Sequence, residues 1–317
     1  MSTDAVFSVD GVSKSNLEYL SREHQRIAEE RMLELADIAE AVAKDSEELL
    51  ASGYTASDVI SLIGAEREEG DARLYPSLCD SLSVLRSHIR SIENLDKAVF
   101  SSLLVRELSS RCGAISEGDF LPQFEREESF TYLRNSFSDE AYDVFSQDFA
   151  DPRVSYSDTL ADCVRAVVDG RASYCLLPLE DRGGMRLPTI AELILKNDLK
   201  INSVTPVFGL DGNADLKYAL LSASFALPKK EENDDVYLEL RLLRHSAEAL
   251  ASLLSAAVHF GHSVYRINTL TLSTEEESEL IYSLVFRDGG AGFTELLAYL
   301  TLFFPDFVTV GIYKNLE

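Results

Sequence analysis

Apolar positions in the first third of the chain recur at helical spacing. Leu17, Leu20, Ile27, Leu35, Ile38 and Val42 fall near one helix face, with Glu and Arg between them. No proline precedes Pro76, so the pattern predicts a first helix of about thirty residues from Ser15 onward. Gly53 interrupts it, and Thr55 with Ser57 caps a short second helix through Leu62. Tyr75–Ile92 and Leu95–Ser110 read as two more helical runs. Arg111–Gly118 is a turn-rich exit, and the acidic stretch Asp119–Glu128 with Pro122 is a linker.

The period changes after that linker. Ser129–Leu133 is a short buried strand, followed by a helix over Ser138–Phe149 capped by Ser138. Pro152–Tyr156 is a second strand, and Thr159–Asp169 a helix ending at Gly170. Tyr174–Leu179 is an apolar strand, Thr189–Lys196 a helix, Lys200–Val207 a strand, and Lys217–Leu227 a closing strand. Strands alternating with short helices argue a layered α/β lobe. Beyond the charged linker Lys229–Asp235 the order is strand, helix, strand, strand, helix, strand: Tyr237–Leu243, Ser246–Phe260, Ser263–Leu272, Glu279–Arg287, Gly292–Phe303 and Val308–Tyr313, with an acidic turn at Glu275–Glu277. That is the split βαβ, ferredoxin-like plan. The expected fold class is therefore α+β and multidomain: an all-α domain over 1–118, a small α/β lobe over 119–228 and a βαββαβ domain over 234–317.

Charge narrows the function classes. Lys and Arg number 29 against 54 Asp and Glu, a net charge of −25. Such a field repels phosphate backbones and anionic lipid, so neither nucleic acid nor membrane is an expected partner. No apolar stretch is long enough to span a bilayer, and the first residues lack a signal-peptide pattern, so the expected location is the cytoplasm. Cys79, Cys112, Cys163 and Cys175 form no C-x-x-C pair and read as buried thiols. His259 and His262 have no accompanying carboxylate motif, no phosphate-binding glycine motif occurs, and neither a metal nor a cofactor is expected.

Several middle-region segments resemble the first lobe of prephenate dehydratase. They are Tyr132-Leu133 with Ser136-Phe137-Ser138, Asp158-Thr159-Leu160-Ala161-Asp162-Cys163-Val164, and Gly170-Arg171-Ala172-Ser173-Tyr174. The strongest is Leu177-Pro178-Leu179-Glu180-Asp181 with Gly183-Gly184 and Thr189-Ile190-Ala191-Glu192-Leu193, where the family carries Pro-Ile-Glu-Asn-Ser, a glycine and a helix-opening threonine. The third region resembles the regulatory ACT domain that follows this enzyme. Bifunctional members place a helical chorismate mutase in front, matching the three-part order.

The resemblance implies a site for a small dicarboxylate. Substrate-binding groups would be Ser136, Ser138 and Asp181, with Glu180, Thr189 and Lys217 as catalytic candidates. Hydroxyls and N–H groups at helix starts suit such a ligand, although Ser136, Ser138 and Thr189 also read as plain N-caps. Glu180 follows a buried strand end, where α/β ligands often lie, and reads equally as a loop carboxylate. The implied regulatory ligand positions are Ala249 and Leu250, in Glu248-Ala249-Leu250 where the family has Gly-Ala-Leu, and Asn268 and Thr269, where it has Glu-Ser-Arg-Pro.

Departures from the family bear on chemistry. Its Thr-Arg-Phe motif aligns with Leu216-Lys217-Tyr218, after Asn213-Ala214-Asp215, and leucine cannot donate the proton that the threonine position supplies. Lysine is also no bidentate clamp for a carboxylate. Between Thr189 and Lys217 there is room for one helix, one strand and a turn, where the family inserts a whole second lobe. In the helical region Arg22, Arg26, Arg31, Lys44, Arg86 and Arg90 could line a chorismate pocket or form a surface face balanced by Glu23, Glu29 and Glu30. The expectation is a protein of L-phenylalanine biosynthesis by resemblance, catalytically degenerate, binding a prephenate- or phenylalanine-like carboxylate and forming a homodimer. An active dehydratase producing phenylpyruvate, with or without chorismate mutase activity, and a purely structural dimerisation protein are the alternatives.

Overall fold

The computed structural model describes residues 10–64, 86, 89, 92–123, 127–209, 214–229, 235–243, 246–273, 278–304 and 306–316. Most of the run expected over Tyr75–Ile92, the acidic turn Glu275–Glu277, Cys79, Arg90 and Asn213 lie outside them. The chain forms two compact units, one within the first 114 residues and one from Ile115 onward that also takes in Gly64.

In the first unit α1 spans Asp10–Asp45, α2 Glu47–Ala51, α3 Ala56–Gly64 and α4 Asn94–Cys112. Thr55 and Asp58 cap α3 reciprocally: Asp58 N–H donates to Thr55 Oγ1 at 3.2 Å, and Thr55 N–H to the Asp58 carboxylate at 2.8 Å. Apolar spacing along α1 is continuous, yet Leu35 and Val42 are buried while Leu20 and Ile27 are 50% and 53% exposed. Among the described residues, the length of α4 matches the difference. At 1.5 Å per residue, the 19 residues of α4 reach about half as far as the 36 of α1. Phe100, Leu104 and Leu108 of α4 are buried, and Arg86 donates to the Leu62 carbonyl at 2.5 Å.

The second unit begins with a short helix α5 (Glu117–Phe120) inside the expected exit and linker. It then reads β1 (Ser129–Tyr132), α6 (Ser136–Phe145), β2 (Arg153–Tyr156), α7 (Leu160–Val168), β3 (Tyr174–Asp181), α8 (Pro188–Lys196), β4 (Lys200–Phe208) and β5 (Ala214–Ser222). After these come β6 (Val236–Leu242), α9 (Ala247–His259), β7 (Ser263–Ser273), β8 (Ser278–Arg287), α10 (Thr294–Phe303) and β9 (Phe307–Asn315). Several boundaries differ from the sequence expectation, among them the end of α6 at Phe145 and the start of β5 at Ala214. Helix α6 starts at Ser136, because Asn135 and not Ser138 is its N-cap. Strand β5 ends at Ser222, whose hydroxyl turns the chain by donating to the Ser224 carbonyl at 2.5 Å.

The two α/β regions distinguished in the sequence share one mixed nine-stranded sheet, ordered β2-β1-β3-β5-β4-β9-β6-β8-β7. Strands β6 to β9 pair antiparallel in the order β9-β6-β8-β7, the ferredoxin-like arrangement. Joining this half to the other is β9, which runs parallel to β4 through Ser203–Lys314 and Val204–Asn315. Gly311 makes the approach possible, since a Cβ there would collide with the Ile201 carbonyl oxygen. One core cluster crosses the join, packing Ile190, Ile194 and Ile201 with Tyr237, Val285, Val310 and Tyr313.

Candidate functional site

Strand β3 is apolar until Glu180, and it lies between β1 and β5. A β-bulge between Pro178 and Glu180 resets the register with β5, so that Glu180 pairs with Lys217 and Asp181 with Leu216. Asp181 then closes a tight turn. Its Oδ1 accepts from the N–H groups of Gly183 and Met185, each at 2.9 Å, and Gly184 takes a positive φ of 72°. The turn returns Arg186 beside Glu180 as an antiparallel bridge partner. Asp181, a candidate substrate contact by resemblance, is thus engaged in shaping its own loop.

Glu180 is 5% exposed and surrounded by cations. Arg266 of β7 donates to its Oε1 at 2.5 Å, Arg186 Nε lies 3.6 Å from the same oxygen, and Lys217 Nζ lies 3.9 Å from Oε2. Arg186 also bonds Glu239 of β6, and the Tyr313 hydroxyl donates to Glu239 at 3.0 Å. Burial is the largest influence on Arg186 and opposes its charge, but Glu239, Tyr313 and Glu180 together raise its pKa; burial likewise opposes Arg266, and the bond to and charge of Glu180 together prevail. Burial, reinforced by Glu239, holds the Tyr313 phenol well above its ordinary value. Beside Glu180 and Lys217, Tyr237, Tyr265 and Tyr313 enclose a cavity of about 20 Å³. That volume has room for about one water and for no dicarboxylate.

The helix starts are closed as well. In α6 the Asn135 side chain accepts from the N–H groups of Phe137 and Ser138 at 3.0 and 3.1 Å. Ser138 is 1% exposed, accepts from Asn135 N–H at 2.9 Å and donates to the Leu133 carbonyl at 2.8 Å. Asp139 places a carboxylate in this same positive first turn, so the chain itself supplies an anion such a terminus attracts. Ser136 is exposed. Thr189 is exposed at the second position of α8, behind Pro188, and is not its N-cap. Leu216 is half-buried against the core cluster of Phe130, Tyr132 and Tyr218.

The regulatory candidates fall on separate elements. Ala249 and Leu250 are half-buried in the first turn of α9, where Ser246 caps the helix by accepting from Ala249 N–H at 3.2 Å. On β7, Asn268 is half-buried and Thr269 exposed. Of the three buried or exposed thiols described, Cys163 and Cys175 are buried, and burial raises their pKa; Cys112 is exposed, against the expectation of a buried thiol. A larger groove of about 570 Å³ lies at the beginning of β1 and β2, lined by Ser129, Arg153, Arg171 and Ser173 among others, and contains none of the candidates.

Sequence reasoning names Glu180 and Lys217, which the structure brings together, and misses Arg186, Glu239, Arg241, Arg266 and Tyr313. One signal for them is present. Val-Tyr-Leu-Glu-Leu-Arg-Leu over Val236–Leu242 alternates leucines with Tyr237, Glu239 and Arg241, so a strand with two buried faces must bury charge on one of them.

Among the described residues no helix is long and apolar enough to cross a membrane. No family model and no curated protein matches the sequence. Solved structures similar to the chain include a prephenate dehydratase from Streptococcus mutans, with TM-score 0.45 and 16% identity, covering 60% of this chain and 99% of that one. GqqA, described as a novel type of quorum quenching acylase, has TM-score 0.45 and 21% identity, covering 59% and 95%. A prephenate dehydratase from Arthrobacter aurescens in complex with L-Phe has TM-score 0.42 and 12% identity, covering 58% and 89%.

Proposed function

We propose that this chain is a prephenate-dehydratase-like protein that does not catalyse the dehydration. Its work in phenylalanine metabolism is to bind a small carboxylate, with the βαββαβ half in the regulatory role of an ACT domain. The motifs around Glu180 and Thr189 support the family assignment. A single observation carries the loss of catalysis: Glu180 is sealed by Arg266 at 2.5 Å beside a cavity of about 20 Å³. A buried carboxylate held in that way cannot reach a substrate, and Leu216 offers no acid in its place. Preorganised donors around a reacting centre are the largest source of rate in such chemistry, and here the donors serve the fold.

The test is to incubate the full chain with prephenate, follow phenylpyruvate by its alkaline absorbance, and record thermal unfolding with prephenate and with phenylalanine. No phenylpyruvate above the buffer rate, together with a raised unfolding midpoint for one ligand, is the expected result. Turnover restores the active-dehydratase reading and overturns this one. Absence of both turnover and any shift leaves a structural protein.

A further inference from the structure

The groove of about 570 Å³ lies away from Glu180. Strands β1, β2 and β3 run parallel; the groove opens at their N-terminal ends, and Glu180 sits near the other end of β3. Its walls come from the starts of β1 and β2, the last turn of α7 and the turn over residues 170–173 that leads into β3. The volume falls within the range of small-molecule pockets, about 300–1,000 Å³.

That turn is fixed by its own backbone. The Arg171 and Ala172 N–H groups both donate to the Ala166 carbonyl, at 2.8 and 3.1 Å, and Ser173 N–H donates to Ser129 Oγ at 2.9 Å. Within the lining Phe130, Val167 and Ala172 are buried, while Val154 and Val168 are 37% and 51% exposed. Apolar surface therefore runs from floor to rim. Charge stands at the mouth in both signs. Arg153 lies 3.7 Å from Glu127 and Arg171 3.3 Å from Asp169, with all four side chains more than half exposed. Val167 and Val168 end α7, whose C-terminus adds partial negative charge.

These features select a ligand by elimination. A dicarboxylate meets Glu127, Asp169 and the helix end as well as the arginines. A free amine meets Arg153 and Arg171. A neutral apolar molecule leaves the charges unmatched. A zwitterion with an apolar body satisfies every side: its carboxylate takes the arginine forks, its ammonium the carboxylates and the helix end, and its side chain the valine-lined interior. The exposed ion pairs now present contribute little to the fold, so their members can exchange partners at small cost.

We propose that this groove binds an apolar α-amino acid, with Arg153 and Arg171 on its carboxylate and Glu127 on its ammonium. The site is separate from the closed Glu180 cluster and from Ala249 and Leu250 on α9. Residues from β1, β2 and the entry to β3 all contribute, so an occupant braces the sheet where β2 has a neighbour on one side only.

The experiment is isothermal titration of the full chain with L-phenylalanine, phenylpyruvate and phenethylamine, which share one apolar body and differ in charge. L-phenylalanine binds, and the two analogues, each lacking one charge, bind about tenfold more weakly or worse. The double variant Arg153→Ala with Arg171→Ala loses a similar factor in affinity, while its unfolding midpoint stays within error of the parent because both side chains are on the surface. Arg134→Ala, just beyond the opposite end of β1, binds as the parent does. No binding of L-phenylalanine, equal binding of phenylpyruvate, or full affinity in the double variant overturns the proposal. A chain stabilised by prephenate that ignores L-phenylalanine keeps the carboxylate-binding reading above and loses this one.

Discussion

On α1, Arg26 lies between Glu23 at 2.5 Å and Glu30 at 2.6 Å, and its side chain is 56% exposed. In the sheet unit, Arg186 is 10% exposed and takes its partners from β3, β6 and β9. The first arrangement follows from helix geometry alone, since residues three and four apart are neighbours whatever the helix packs against. The second exists only when a turn, two register choices and the meeting of two half-sheets are all in place. Local pairs of this kind are added to a fold; the buried ones are a condition of it. That difference also separates the two roles open to Glu180. A carboxylate in a site must be free to meet a ligand, whereas one that joins strands must not be.

Cutting the buried side of this comparison gives the largest expected effect. Glu180→Ala leaves Arg266, Arg186 and Lys217 facing one another and lowers the unfolding free energy by about 3–5 kcal/mol, read from denaturant titration of the full chain. The double variant Glu180→Leu with Arg266→Leu recovers part of the loss, because it removes the Arg266 charge with the bond while Arg186 keeps Glu239. A double variant no more stable than Glu180→Ala would show that the carboxylate acts other than through its arginine. Gly311→Ala acts on the join itself: the added methyl meets the Ile201 carbonyl, and overpacking of this kind costs about 1–3 kcal/mol. Amide exchange sharpens that prediction, with protection lost first along β4 and β9. Arg26→Ala, on the exposed side of the comparison, leaves the unfolding midpoint unchanged within error.

What the sequence makes legible follows the same division. The βαββαβ order is readable because each element carries its own period and its own stop, as with Gly261 after α9. The Glu180–Lys217 neighbourhood is readable because Glu180 closes a recognisable apolar strand and Lys217 opens the strand expected over Lys217–Leu227. Arg266 is hidden, since nothing near it in the chain announces that β7 brings it to β3. Ser138 is a subtler case. A serine at a helix start reads as a cap, but Asn135 stands three residues earlier and takes that position, leaving Ser138 to complete the reciprocal bond. Competing caps within one turn are decided by backbone geometry, which spacing does not encode. The burial of α1 is hidden for another reason: its apolar face is uniform, and among the described residues it is the length of α4 that limits how much of that face is covered.

The strand that unites the sheet, β9, follows all eight of its companions along the chain. Until it has been synthesised, the polypeptide carries two separate half-sheets, each with an open edge at β4 or β6. During translation those edges can pair with any passing strand, their own or a neighbour's. Slow arrival of β9 therefore favours swapped or aggregated products over the native sheet, and the ribosome's pace between β8 and β9 becomes a determinant of yield.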